Sequence, residues 1–548
     1  MQLPADISLL PVIALYPEIH YRFFRWFPSF LNVNQPEVIF DAPRRLGPGE
    51  DLPVTLVVND LHRFPAELSD CAIAVACNDQ SPRRFDFTDT ASCEVRHPLR
   101  RSLRAFVFRI PRSALPGGHF SVTCRVMVVC GKRKRVVIND NLKGTGKLSF
   151  ACYAANNSLP GSEYCSYGDL HVHSHYSQSH VEFGPPLAVI GVLARAQGLA
   201  FAAITDHSYD LACSIDDYLK SDSNLVRWKT FQEEINAERE DGVVLIPGEE
   251  ISCLNSKGNV IHLCGVGLKE FIPGTMDGAR KNRHREKQLT VGEAVGMIHQ
   301  QGGIALAAHP GTRTDLLQKM FLSRGQWSVN DLLCGINAMQ IFNGGFTSSW
   351  RNGKALWINM MQRGLKVPVA AGNDAHGDFN RYRAIAVPFL EISENPGRYM
   401  GYARTGIYGR HATASELMAA LRRGETFITT GPFAAICSSD SSDASIVGHR
   451  PVSSDLREIF LHVISTPEFG HIRSMEVYGD ERKQSGLPEK KIFSRNYTDV
   501  NYKICERIDL VSLPAKLSYL RAEVRCSSSD VNAGGGQSAA YTSAVYFT

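Results

Sequence analysis

The chain of 548 residues sets 59 Lys and Arg against 55 Asp and Glu, a formal charge of +4. That length exceeds one ordinary hydrophobic core, so about two to four domains are expected. The near-neutral balance argues against a dedicated nucleic-acid coat, and 44% hydrophobic with 21% charged residues argues against a disordered chain.

The 14 cysteines are scattered, with no C-x-x-C pair, which suits a reducing compartment and predicts a cytoplasmic protein. The opening MQLPADISLLPVIALYPEIHYRFF lacks a basic stretch followed by a clean apolar one, so no signal peptide is expected. No apolar run approaches the roughly 18–20 residues that span a bilayer.

Residues 1–160 read as an N-terminal β-sandwich-like domain. Val54–Val58, Cys71–Cys77, Ala105–Ile110, Phe120–Val129 and Val136–Asn139 are short apolar runs separated by Gly, Pro, Asn and Asp. The basic tetrad Lys132–Arg135 between two such runs reads as a solvated hairpin tip rather than a phosphate patch. Ala154–Cys165, rich in Asn, Ser, Pro and Gly, reads as a linker.

Over residues 161–435 the pattern changes to alternating strands and helices. Helices are predicted at Pro186–Gln197, Leu225–Glu240, Val291–Gln301 and Trp350–Arg363, where apolar residues recur at three and four. Between them lie the apolar runs Phe201–Ile204, Val243–Ile246, Val260–Val266, Gly303–Ala307, Ala338–Phe342 and Val367–Ala371. Such alternation predicts an α/β fold, either a parallel sheet covered on both faces or a closed barrel. After Gly431-Pro432 the strand-like runs Ile459–Ser465, Met475–Gly479, Leu517–Val524 and Tyr541–Phe547 predict a C-terminal β-sandwich-like domain over 436–548. The serine run Ser438–Ser445 reads as a loop without functional signal.

Metal-ligand residues gather where the predicted strands stop. His171 and His173 stand at i and i+2, a spacing that puts both imidazoles on one face of an extended segment. Asp206-His207 follows Phe201–Ile204, Glu249-Glu250 follows Val243–Ile246, His309-Pro310 follows Ala308, and Asp374-Ala-His376 follows Val367–Ala371. His262 lies within a predicted strand. Imidazole and carboxylate are the usual nitrogen and oxygen ligands of zinc, manganese and iron. A single H-x-H or D-H pair is more often a surface or core feature than a ligand set; the weight lies in the whole series, which predicts one shared polynuclear metal site.

The order H-x-H, T-D-H, G-x-E, H, A-H-P, D-x-H appears here as DLHVHS, ITDH, PGEE, VIHL, AAHPG and GNDAH. It resembles the PHP (polymerase and histidinol phosphatase) superfamily, and the stretch Leu421–Pro432 with its β flanks is similar to the CehA/McbA-type branch. The resemblance spans roughly residues 167–432. It implies a distorted (β/α)7-type barrel, flanked by the two β-sandwich-like domains, that holds two or three divalent ions (Zn, Mn or Fe). It further implies that His171, His173, Glu250 and Asp374 hold one ion, that Glu250 bridges to another completed by His262 and His309, and that His207 and His376 hold a third. Asp206 enters as a ligand or as the partner that orients an imidazole, and Glu249 as a surface or supporting carboxylate. Two positions depart from the family pattern: Gln178 and Gln340 stand where acids are usual, with His175 or His180 as replacements and His180 favoured.

The predicted chemistry is hydrolysis by metal-activated water, with a phosphoester as the leading substrate. Asp206 or His376 would shuttle the proton, and Arg313, Arg381 and Arg383 would supply fixed cations, with Arg280–Lys287 as a further basic loop. A carbamate, amide or carboxylic ester is the rival substrate class, and a catalytically weak metal-stabilised binding module the rival outside enzymes. The expected partner is a small molecule rather than a membrane; nucleic acid stays open as a substrate and a homo-oligomer is admitted. No G-x-S-x-G elbow and no P-loop occurs.

Overall fold

The computed structural model describes residues 35–548 apart from 60, 63, 78–80, 96–102, 142–148, 178–183, 216–220, 238–241, 275–288, 315–318, 320–322, 378–383, 388–389, 394–397, 482–487, 512–516 and 529–536. The first strands are β1 (Glu37–Asp41), β2 (Arg45–Leu46), β3 (Leu52–Asn59), β4 (Glu67–Ala76), β5 (Arg83–Phe87), β6 (Glu94–Val95), β7 (Arg104–Ile110), β8 (Gly118–Cys130), β9 (Arg133–Ile138) and β10 (Phe150–Ala154). They fall into two sheets, one ordered β1-β3-β7-β6, the other β2-β10-β8-β4-β5 with β9 paired to β8. β3, LPVTLVVN, is buried along its whole length, as its nearly continuous apolar run requires. The basic tetrad sits at the exposed turn of the β8–β9 hairpin, where Gly131 takes φ +59°.

The central strands are β11 (Cys165–Val172), β12 (Phe201–Ile204), β13 (Val244–Leu254), β14 (Val260–Val266), β15 (Ile304–Ala307), β16 (Ala338–Asn343) and β17 (Val369–Gly372). With them run the helices α1 (Leu187–Gln197), α2 (Ser208–Leu211), α3 (Val226–Ala237), α4 (Val291–Gln300), α5 (Val329–Leu332) and α6 (Ser348–Gln362). Local chemistry sets their ends. α1 stops at Gly198, whose φ of +83° lets its N–H reach back to the carbonyls of Ala194 and Arg195. α4 begins in a capping box between Thr290 and Glu293.

The expected (β/α)7-type barrel is not what forms. The chain is mostly β, 44% strand against 17% helix, with seven helices among the described residues and a large sheet curled into a half-barrel. β11, β12 and β13 are parallel, but β13 to β14 and β14 to β15 are antiparallel. Only Asn255–Asn259 separates β13 from β14, too short for a crossover helix. The misreading has a physical source: a strand buried on both faces shows the same unbroken apolar run in a parallel or an antiparallel pairing. β13 also runs to Leu254 instead of stopping at Ile246, so Glu249 and Glu250 lie inside it.

The same sheet continues past β11 through β20 (Arg404–Tyr408) and, beyond helix α7 (Ala414–Arg422), through β21 (Thr426–Thr429) into the C-terminal strands. These are β25 (Ile472–Glu481), β26 (Lys490–Asn496), β28 (Leu517–Ser528), β29 (Gln537–Thr542) and β30 (Val545–Phe547), with β23 (Gly448–Val452) at the side. The expected boundary at 435/436 is therefore crossed by hydrogen-bonded strand pairs such as β21–β29. β22 (Phe433–Cys437), β24 (Glu458–Ile464) and β27 (Lys503–Asp509) form a separate three-stranded sheet. A hairpin, β18 (Ala384–Val387) with β19 (Leu390–Ser393), stands apart. Among the described residues no helix is long and apolar enough to cross a membrane.

Candidate metal centre

The curl of the sheet builds the site. The segment after β17 returns beside β11, where Asp374 N–H donates to the His171 carbonyl and His173 N–H to that of Ala375, each at 2.9 Å. Gly372 permits the approach, since a Cβ there would lie 2.5 Å from the His171 Cβ. Strand alternation on β13 sends Glu249 and Glu250 to opposite faces. Glu250 opposes Cys264 in the β13–β14 register, so His262, two residues from Cys264, shares its face. Two residues at the site, His309 (φ +32°) and Asp374 (φ +52°), hold left-handed backbone that side chains other than glycine seldom adopt.

Glu250, 1% exposed, is the hub. Its Oε1 lies 2.6 Å from His262 Nδ1, 3.1 Å from His309 Nε2 and 3.6 Å from His171 Nε2. Its Oε2 lies 2.9 Å from His207 Nδ1 and 3.6 Å from His173 Nε2. Asp374 Oδ1 approaches His173 Nε2 at 3.1 Å and His171 Nε2 at 3.6 Å. The structure thus brings together three overlapping ligand groups: His171, His173, Glu250 and Asp374; Glu250, His262 and His309; and His173, His207 and His376. The rings of His173 and His376 stack at 4.1 Å.

The outer nitrogens of the first two histidines are engaged, which turns their inner nitrogens to the site. Gln340 Oε1 accepts from His171 Nδ1–H at 2.9 Å, while its Nε2 donates to the Gly372 carbonyl at 3.0 Å. Asp206 Oδ1 accepts from the Ser177 hydroxyl at 2.7 Å, so the Ser177 oxygen is free to accept from His173 Nδ1–H at 2.8 Å. Both Nε2 lone pairs then face each other across 3.1 Å with two carboxylates beside them. A proton or a metal ion between them would reconcile that arrangement, and the N/O donor set is one that zinc, manganese or iron accepts. The structure therefore holds buried His, Glu and Asp groups that could bind a metal ion.

The electrostatics agree. Burial pushes His173, His309 and His376 down, leaving neutral imidazoles with ligating lone pairs. Burial would raise the Glu250 carboxyl, but the neighbouring imidazoles of His262 and His171 outweigh it and hold it well below the usual range. At Asp374 burial is likewise outweighed, by His171 and Arg398. His171 is the exception: burial lowers it, yet Cys264, Glu250 and Asp374 together raise it well above the ordinary imidazole value.

Several expected residues fall elsewhere. Asp206 joins none of the ligand groups among the described residues. Its oxygens accept from Ser174 N–H (2.7 Å), Ser174 Oγ–H (2.6 Å), Ser177 N–H (2.9 Å) and Ser177 Oγ–H (2.7 Å), which makes it the clamp of the loop after β11. Glu249 is fully buried rather than at the surface, accepts from Ile272 N–H at 2.7 Å, and is pushed well up by burial. His175 turns to Glu234, 3.9 Å away. Arg313 is exposed. Gln178, His180, Arg381, Arg383 and the loop 280–287 lie outside the described residues.

Among the described residues, two arginines that the sequence reading missed reach the centre. Arg398 lies 3.4 Å from the outer oxygen Oδ2 of Asp374, and Arg324 contacts Nε2 of His262. No local signal marks either, because each is brought in from a distant loop. Neither a model of a known protein family nor a curated protein matches the chain.

Proposed function

We propose that the protein is a metal-dependent hydrolase whose centre holds two or three divalent ions, with a phosphoester as substrate. The observation that carries this reading is Glu250, a single buried carboxylate within 3.6 Å of five imidazoles and common to two ligand groups. His171, His173, Glu250 and Asp374 would hold one ion, and Glu250, His262 and His309 another. His173, His207 and His376 favour a third. The motif set's resemblance to the PHP superfamily supports the same assignment of residues, and zinc, manganese and iron all suit it.

Ions held by these residues would lower the pKa of a coordinated water and stabilise negative charge on the reacting oxygens. The chain's own contribution is orientation and charge. Gln340 and the Ser177–Asp206 pair fix the tautomers of His171 and His173. Arg398, half in solvent beside Asp374, supplies the fixed cation that favours an anionic substrate over a neutral carbonyl compound. His376, which burial keeps neutral, would accept a proton where it is not holding the third ion, whereas Asp206 is committed to the loop and acts as a positioning residue. The 14 free cysteines support a reducing, cytoplasmic setting.

The test is metal analysis of the purified chain alongside turnover of p-nitrophenyl phosphate, bis-p-nitrophenyl phosphate and a naphthyl carbamate, with Asp374→Asn as control. Two or three equivalents of metal, phosphoester turnover, and its loss in a still-folded Asp374→Asn are expected. Metal with carbamate turnover alone would overturn the substrate class, and a chain that binds no added zinc or manganese would overturn the centre.

A further inference from the structure

A second cluster of ligand-type side chains lies far along the chain from the centre, on the three-stranded sheet β22-β24-β27. His462 on β24 and Cys505 on β27 are directly opposed in the antiparallel register, so both side chains rise from one face. That face is crossed by the Ser/Asp-rich loop following β22, which is pinned by Ser438 N–H to the Ala444 carbonyl (3.2 Å) and by a bridge between Cys437 and Ser445. The loop delivers Asp440 to the pair. Cys505 Sγ lies 3.2 Å from Asp440 Oδ1 and 3.5 Å from His462 Nε2, and the last two atoms are 4.0 Å apart.

We propose that Cys505, His462 and Asp440 form a separate site for a borderline-soft divalent transition ion of the zinc class, with the fourth position open to solvent. The three separations bracket the ligand–ligand edge of a tetrahedron built on zinc bonds, about 3.3–3.8 Å for bond lengths of about 2.0–2.3 Å. Ser442 Oγ sits 3.1 Å from His462 Nδ1 and the Ser439 carbonyl 3.4 Å from Nε2; in the tautomer that donates Nδ1–H to Ser442, the Nε2 lone pair is turned to Cys505 and Asp440. His462 is 5% exposed while Cys505 and Asp440 are open to solvent, so an ion has an entry path.

A thiol nucleophile activated by His462 fits the same residues less well. In a nucleophilic dyad the carboxylate steadies the far nitrogen of the imidazole, but here Asp440 lies on the sulfur and Ser442 takes the far nitrogen. Burial and then Asp440 push the Cys505 thiol up, the reverse of what an activated nucleophile requires, so without a cation it is an ordinary, mostly protonated thiol. A bound ion removes that proton and satisfies both Asp440 and Cys505 at once. The serine-rich run read from the sequence as a plain loop becomes the strap that completes the site.

The test uses the full chain, stripped with chelator and titrated with Co(II), whose thiolate charge-transfer absorption reports sulfur ligation. The band is expected in the unmodified protein, lost in Cys505→Ser and weakened in His462→Ala. It should persist in Cys264→Ser, which removes the cysteine beside His171, and in Asp374→Asn, which impairs the central site. Cys505→Ser changes one atom at an exposed position, and an unaltered circular-dichroism spectrum verifies that it folds. Independently, Zn(II) is expected to slow alkylation of Cys505, read peptide by peptide, several-fold. Absence of the band, its survival in Cys505→Ser, or alkylation of Cys505 indifferent to Zn(II) would overturn the proposal.

Discussion

Replacing Gln340 by Ala tests whether this amide orients a ligand or merely fills the interior. Gln340 is fully buried on β16 and holds three groups: His171 Nδ1–H at 2.9 Å, His309 N–H at 3.3 Å and the Gly372 carbonyl at 3.0 Å. Without it the His171 ring is free to swap tautomer or rotate, and its Nε2 no longer points steadily at Glu250 and Asp374. Loss of such an outer partner lowers metal affinity by about 10–100-fold, or ~1.4–2.7 kcal/mol. The metal-free protein also loses stability, because a buried carbonyl and N–H are stranded at about 1–3 kcal/mol. Gln340→Glu separates the two effects: its carboxylate still accepts from His171 Nδ1–H, so affinity stays close to that of the unmodified chain, while the bond to Gly372 is lost. Competition with a chromophoric chelator gives the affinity, and urea melts with and without metal give the stability. Affinity within twofold of the unmodified chain in Gln340→Ala, or an equal loss in Gln340→Ala and Gln340→Glu, would refute the orienting role.

Three further outcomes are expected. Arg398→Ala lowers kcat/KM for a phosphoester by up to about 10²-fold with metal content unchanged and carbamate turnover, if any, unaffected; an equal effect on both substrates would mean that Arg398 acts through Asp374 and not on an anionic group of the substrate. Glu468→Ala leaves the buried Arg45, whose Nε lies 2.8 Å from Glu468 Oε1 with both side chains 8% exposed, held by the Gln197 and Asn157 carbonyls without this carboxylate, at a cost of up to about 3–5 kcal/mol; a urea melt showing less than about 1 kcal/mol would contradict it. At Glu523 burial would raise the carboxyl, but Arg521 and Lys354 outweigh it and hold it below the usual 4.5. A depressed carboxyl contributes stability above its unfolded value that is lost as pH falls through its folded value, so the melting gap between the unmodified chain and Glu523→Gln should close as pH drops below 4.5; a gap that widens in acid reverses the sign.

Much of the centre is legible from residue type and local period. His171 and His173 can be read because i and i+2 share a face near a strand end, and α4 because Thr290 and Glu293 spell its start. Glu250 was identifiable as a ligand type, but not its place inside an eleven-residue strand. Asp206 looks like a ligand beside His207, yet side-chain hydrogen bonds to Ser174 and Ser177, some thirty residues earlier, assign it a different task. Gln340 reads as a weakened ligand because sequence shows the amide and not the imidazole it faces. Arg398 and Arg324 arrive through tertiary pairing alone. The barrel expectation failed for a related reason: strand direction is set by the length of the connection and by the edge available, neither of which the apolar runs encode.

The charge of the interior argues that the centre is built for cations, independently of any assigned reaction. Asp169, Asp206, Glu249 and Glu250 are each at most 1% exposed, and Asp374 joins them at the rim. Three of the five are consumed in backbone support. Asp206 clamps the loop after β11, Glu249 holds Ile272 N–H, and Asp169 accepts from His171 N–H and from Asn373 Nδ2–H, with burial raising it to about 6. That leaves Glu250 and Asp374 as anions facing imidazoles whose outer nitrogens are already spoken for at His171 and His173. Buried charge persists only when compensated, and Arg398 and Arg324 meet the outer atoms of Asp374 and His262 rather than the space between the ligand groups. A proton on His171 can serve in the absence of metal, as its raised value indicates. It supplies one charge beside two carboxylates and the converging lone pairs of several histidines, a group of side chains that could bind a metal ion.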